Sequence, residues 1–185
     1  MLPLITSLDY TLCRLIDTAE KDAHTGNLFG DDAWTRLIKE RLGELGEQLG
    51  HKVCSSGFKD WFDPEWLLDL VWYNEDAEGL LIDVPLAVES EWNEAPHQIK
   101  LDFEKLLAIR ACNRLMICTN RPKHHERNLG YFRKAVVAYR HRQPGDRYLI
   151  ALYNPNTETF TFELIVLVTA DEVQSVPVLL DPSEP

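Results

Sequence analysis

The chain has 185 residues, 45% hydrophobic and 26% charged, with a formal net charge of −11. That size and balance fit a single globular domain over 1–185 and exclude disordered and fibrous classes, while the charge argues against a generic nucleic-acid coat. Four scattered cysteines with no C-x-x-C pair, an N-terminus without a basic region and no apolar run near the ~20 residues of a membrane span predict a soluble, reduced, cytoplasmic protein with no membrane partner.

The N-terminal third reads as two helices, over 4–21 and 31–49. In the second, Trp34, Ile38, Leu42, Leu45 and Leu49 recur at three- and four-residue steps and form one apolar stripe, with Asp31 or Asp32 as a cap and Gly50 as a stop. "WLLDLVWY" (66–73) reads as a strand, "NEDAEG" as a turn, and "VPLAVESEW" (84–92) as a second strand, with Pro85 tolerable near its start. A helix follows over 97–111, with Ile99, Phe103, Leu106 and Arg110 on one side. "RLMICT" (114–119) is a short buried strand, and a basic helix is expected over 127–142. "RYLIALYN" and "TFTFELIVL" make a strand pair around the turn Asn154–Thr157, and the residues from 171 to 185 read as a loose tail. Trp61, Trp66, Trp72 and Trp92 read as packing residues, and the adjacent His124 and His125 as exposed. The pattern predicts an α/β fold, a mixed sheet flanked by helices.

Two carboxylates stand out. Residues two apart on a strand share a face, so Glu89 and Glu91 point the same way from a strand whose Leu86, Ala87 and Val88 read as buried on both sides. Asp69 is a lone acid between Leu68 and Leu70, and if the two strands are neighbours it approaches Glu89. Carboxylates so close repel unless one is protonated or a cation sits between them. Mg²⁺ suits such a place, because it takes one or two carboxylates, several waters and substrate phosphate oxygens. The bland alternatives are a solvated edge-strand face for the glutamates and a hydrogen-bonded buried carboxylate for Asp69.

Asp69, nineteen residues, then Glu89–Ser90–Glu91 followed by a helix resembles the active-site core of the PD-(D/E)XK nucleases, over roughly 31–119. The resemblance implies a restriction endonuclease-like core and metal-dependent phosphodiester hydrolysis, most simply as a DNA endonuclease using Mg²⁺ or Mn²⁺. Asp69 and Glu89 would then be the metal ligands. Glu91 stands at the position usually held by lysine, giving E-x-E in place of E-x-K. It can accept a proton from water but cannot stabilise an anion as a cation would. Lys105, on the helix after the strand, is the candidate for the missing positive charge, with an ordinary ion pair to Asp102 or Glu104 as its alternative. An acid from the N-terminal helix often completes such sites, and Glu44 is the first candidate, ahead of Glu40 and Glu47. Many enzymes of this fold pair to cut both strands, which makes a homodimer an expectation of the resemblance.

The stretch 121–147 carries eight Lys or Arg against Glu126 and Asp146, a local surplus of positive charge in an acidic chain. Arg121, Lys123, Arg127, Arg133, Lys134, Arg140 and Arg142 are therefore the candidate phosphate-backbone contacts. Pairing with the protein's own acidic surface is the equal alternative. The competing function is a non-catalytic protein of nuclease fold that binds nucleic acid or assembles with protein. The basic helix and C-terminal strand pair, about 120–170, would be additions to the shared core.

Overall fold

The computed structural model describes residues 4–25, 31–55 and 66–181. Its sheet has seven strands in sequence order: β1 (Lys52–Ser55), β2 (Leu70–Glu75), β3 (Leu81–Glu91), β4 (Asn113–Thr119), β5 (Arg147–Asn154), β6 (Thr159–Leu167) and β7 (Val173–Pro177). The central strands β3, β4 and β5 run parallel, and every other neighbouring pair is antiparallel. The two parallel steps need crossovers, which are the helices α3 (Pro96–Ala108) and α4 (His125–Ala138). The helices α1 (Ser7–Thr25) and α2 (Asp31–Gln48) cover the opposite face. The expected mixed sheet between helices is therefore present, with more strands than the sequence suggested.

Alternation along the strands divides the core in two. Leu70, Trp72, Leu86, Val88, Leu115, Phe162 and Leu164 pack on Leu12, Ile16, Ile38 and Leu42 of α1 and α2. Val71, Ala87, Met116, Ile150 and Ile165 pack on Phe103 and Leu106 of α3 and Phe132 and Val136 of α4. Burial on both faces is why the β3, β4 and β5 sequences read as near-continuous apolar runs. The α1 start is fixed by Thr6, whose hydroxyl and backbone N–H both donate to Asp9 Oδ2 at 2.7 Å, and by Arg147, whose guanidinium lies 2.5 Å from the same oxygen.

Several boundaries differ from expectation. β1 was not foreseen: four residues, flanked by polar ones, give too short a run to register. Val173–Pro177 is not loose tail but edge strand β7, paired with β6, and Val178 N–H donates to Phe162 O at 3.0 Å. The strand expected over 66–73 begins only at Leu70, so Asp69 sits just before it. Leu49 lies past the end of α2 and is exposed. The basic helix starts and ends earlier than 127–142, after a 3-10 turn at Pro122–His124. Pro85 lies inside β3 rather than near its start. Between the pairs Trp72–Leu86 and Asn74–Asp83, β3 holds one more residue than β2, a bulge at the residue with no N–H to give the ladder. Trp66, Trp72 and Trp92 pack as expected. Trp61, residues 182–185 and the side chains of Asp31 and Asp32 lie outside the described residues. Among the described residues no helix is long and apolar enough to cross a membrane.

Candidate functional site

Leu70 pairs with Val88, so one step further Asp69 stands across from Glu89, as neighbouring strands require. Asp69 is heavily anchored. Its Oδ2 accepts from Ser90 N at 2.7 Å and Ser90 Oγ at 2.8 Å, and its Oδ1 accepts from Lys39 Nζ at 2.9 Å. Lys39 is a buried lysine of α2, only 8% exposed.

Glu89 is 2% exposed and points to the face covered by α3. Its Oε2 lies 3.1 Å from Lys105 Nζ, whereas its Oε1 is buried with no hydrogen-bond partner among the described residues. Burial, then the nearby Asp69 charge, pushes the Glu89 carboxyl up to about 8, with Lys105 opposing. Glu91 lies on the same face. Its Oε1 accepts from Asn93 N at 2.7 Å, and its pKa is raised by burial and by the carboxylates of Asp102 and Asp69. Lys105 also meets Asp102 Oδ1 at 2.8 Å. Burial works against its ammonium, but Asp102 and Glu89 outweigh that and raise its pKa.

Glu89, Glu91, Lys105 and Asp102 are thus brought together, and Asp69, held by Lys39 and Ser90, is near enough for its charge to act on both glutamates. Glu44 is not among them. It lies five residues beyond Lys39, about 140° round the helix, and is exposed. The α2 contribution to the site is a cation, where the sequence suggested an acid. A signal for it existed: Thr35, Lys39, Leu42 and Gly46 follow helical spacing, which places this lysine beside the apolar stripe. Ser90 gave no signal of its own, because its role depends on Asp69 facing it.

The basic residues divide into two groups. Glu91 pairs with Cys118 in the parallel ladder, so the carboxyl ends of β3 and β4 lie together. Arg121 Nε donates to Glu94 Oε1 at 2.7 Å, joining the loops that leave those ends. Lys123 and Arg127 are exposed at the same end. Arg133 is paired with Glu163 at 3.1 Å, and Arg142 with Asp171 at 3.1 Å, so these two serve internal ion pairs. Lys134 and Arg140 are exposed towards the far end of α4. His124 and His125 are both half-buried, contrary to the exposed positions expected for them. Arg127 Nε–H donates to Asn128 Oδ1, Asn128 Nδ2 to Asn120 Oδ1, and Asn120 Nδ2 lies 3.1 Å from His125 Nδ1.

No family model, no curated protein and no solved structure matches this chain.

Among the described residues no three or more His, Cys, Asp or Glu side chains are arranged to hold a metal ion. The fit to a cation therefore rests on two carboxylates, Asp69 and Glu89. Mg²⁺ and Mn²⁺ accept so few protein ligands when water and substrate oxygens supply the rest. The buried Glu89 Oε1, with no hydrogen-bond partner among the described residues, is the atom that fits one, since a carboxylate oxygen in such a place needs a proton, a donor or a cation.

Proposed function

We propose that the protein is a divalent-cation-dependent nuclease acting on DNA, of the PD-(D/E)XK type with E-x-E in place of E-x-K. The supporting observation is the orphaned Glu89 Oε1 beside Asp69, at the carboxyl end of a central parallel strand. On this reading Asp69 and Glu89 hold Mg²⁺ or Mn²⁺, which when bound would polarise the phosphodiester and acidify an attacking water. Glu91 takes up the water's proton, its raised pKa suiting it to proton exchange nearer neutrality. Lys105 supplies the positive charge that the strand position lacks. Arg121, Lys123 and Arg127 track the phosphate backbone beside the acids, and Lys134 and Arg140 extend that surface. Two copies in the cytoplasm would cut the two strands of a duplex.

The second reading is a non-catalytic nuclease-fold protein that binds nucleic acid or protein. It is favoured by one observation: each acid already carries an ammonium, Lys39 on Asp69 and Lys105 on Glu89.

Thermal unfolding with Mg²⁺ and Mn²⁺, followed by plasmid cleavage, separates the two. The nuclease reading expects a metal-dependent rise in stability, about 2.7 kcal/mol at a hundred times Kd, together with cleavage. Both are to be lost in Asp69→Ala and Glu89→Gln. DNA binding without cleavage or metal dependence would establish the second reading instead.

A further inference from the structure

Lys105 and Lys39 make similar contacts with the two acids, but their freedom to leave is very different. The Lys39 side chain is 10% exposed, so leaving Asp69 would require an ammonium to move through an enclosed place. The Lys105 side chain is 42% exposed. It also has a second acceptor one helical turn back: Asp102 Oδ1, at 2.8 Å, closer than the 3.1 Å to Glu89 Oε2. Leaving Glu89 would therefore leave Lys105 neither unpaired nor buried.

A divalent ion on Glu89 could not tolerate the ammonium where it stands. Like charges at such short range repel, and a doubly charged ion roughly doubles the repulsion that a single charge would exert. Of the two lysines, the one that yields is the more exposed, which already rests on a second carboxylate, Asp102.

We infer that Lys105 is a movable counter-ion that closes the cation site in the resting protein: an entering divalent ion drives it off Glu89 onto Asp102, where it faces solvent and the substrate phosphate. This rests on the reading of Asp69 and Glu89 as the cation site. Lys39 stays in place throughout, fixing Asp69. Asp102 acts through Lys105 and is a positioning residue.

The test is Mn²⁺ binding to the full chain, followed by the paramagnetic resonance of the free ion, with no DNA present. Lys105→Met removes the competing charge and is expected to tighten Mn²⁺ about tenfold, equal to about 1.4 kcal/mol, while Lys105→Arg stays near wild type. Asp102→Asn weakens binding, and does so more strongly with Lys105 present than in Lys105→Met, a coupling that a merely structural role would not produce. Unchanged or weaker binding in Lys105→Met overturns the inference while leaving the cation site standing. Failure of the site itself looks different, since Mn²⁺ binding would then be absent or indifferent to Glu89→Gln in the wild type. Even so, binding that appears only in Lys105→Met would support the counter-ion role, and binding in neither protein would overturn it.

Discussion

Lys39 reaches Asp69 across 30 residues of sequence, placing its Nζ 2.9 Å from Oδ1. With Ser90 holding the other oxygen and Ser55 Oγ donating to the Asp69 carbonyl at 2.9 Å, this one aspartate ties α2, β1 and β3 together where β2 begins. Removing one partner of a buried pair costs roughly 3–5 kcal/mol, because the other is left uncompensated. The Asp69 side chain is 24% exposed, so part of that penalty is screened. Lys39→Met is expected to lower the unfolding free energy by about 2–3 kcal/mol, read from urea denaturation. A loss under about 1 kcal/mol would assign the pair to the weak class of surface ion pairs.

Glu89 predicts a pH dependence whose sign is opposite to that of most carboxylates. Its folded-state pKa is raised, so in the folded protein it binds a proton more tightly than in the unfolded chain. The stability it contributes is fully present below the ordinary carboxyl value of 4.5 and is lost as pH rises through about 8. Without divalent metal, stability should fall across that window with a slope of up to about 1.4 kcal/mol per pH unit. Glu89→Gln should flatten most of it, with a remnant of the same sign from Glu91, whose pKa is also raised. An equal slope in wild type and Glu89→Gln would show that another group is responsible.

The legibility of this fold and site follows a physical divide. Strand alternation is local, so Glu89 and Glu91 could be placed on one face and Asp69 opposite Glu89 before any coordinates. The sheet's central strands were legible because they are buried on both faces. Its edges were not, since β1 and β7 are short, β7 is in addition half-exposed, and both owe their form to the neighbour they pair with. Glu44 was the first candidate, ahead of Glu40 and Glu47, because the resemblance implied an acid from the helix, and Lys39 did not enter. Which residue reaches the site depends on how α2 is rotated against the sheet, and that is set by distant packing. The basic stretch looked uniform in sequence, yet Arg133 and Arg142 are drawn into ion pairs with Glu163 and Asp171, residues 30 and 29 positions away.

Gly46 sets that rotation and gives a prediction independent of function. A Cβ there would lie 2.6 Å from Trp72 Nε1 and 2.8 Å from Cδ1. The indole cannot retreat easily, being fully buried with Nε1 donating to Leu42 O at 3.0 Å. Alanine gains about 1 kcal/mol of helix propensity over glycine, whereas forcing a methyl group into a packed core costs about 1–3 kcal/mol. The clash should win, and Gly46→Ala should lower Tm and perturb the fluorescence of Trp72. A rise in Tm would mean that α2 can slide away from the sheet at little expense.

The division of the basic residues makes the nucleic-acid reading testable without cleavage. Lys123, in the 3-10 turn before α4, and Arg127, in the first turn of α4, are exposed, whereas Arg133 and Arg142 serve ion pairs within the fold. Each phosphate contact removed should reduce the slope of log affinity against log salt by about 1. Lys123→Ala with Arg127→Ala should therefore weaken binding to a short DNA duplex and lower that slope by about 2, with little change in Tm. Arg133→Ala should do the reverse, leaving DNA binding intact while freeing the 13%-exposed Glu163 side chain from its cation and lowering stability. If Arg133→Ala weakened DNA binding as much as the Lys123 and Arg127 pair did, the phosphate path would run along the whole of α4 rather than over its beginning.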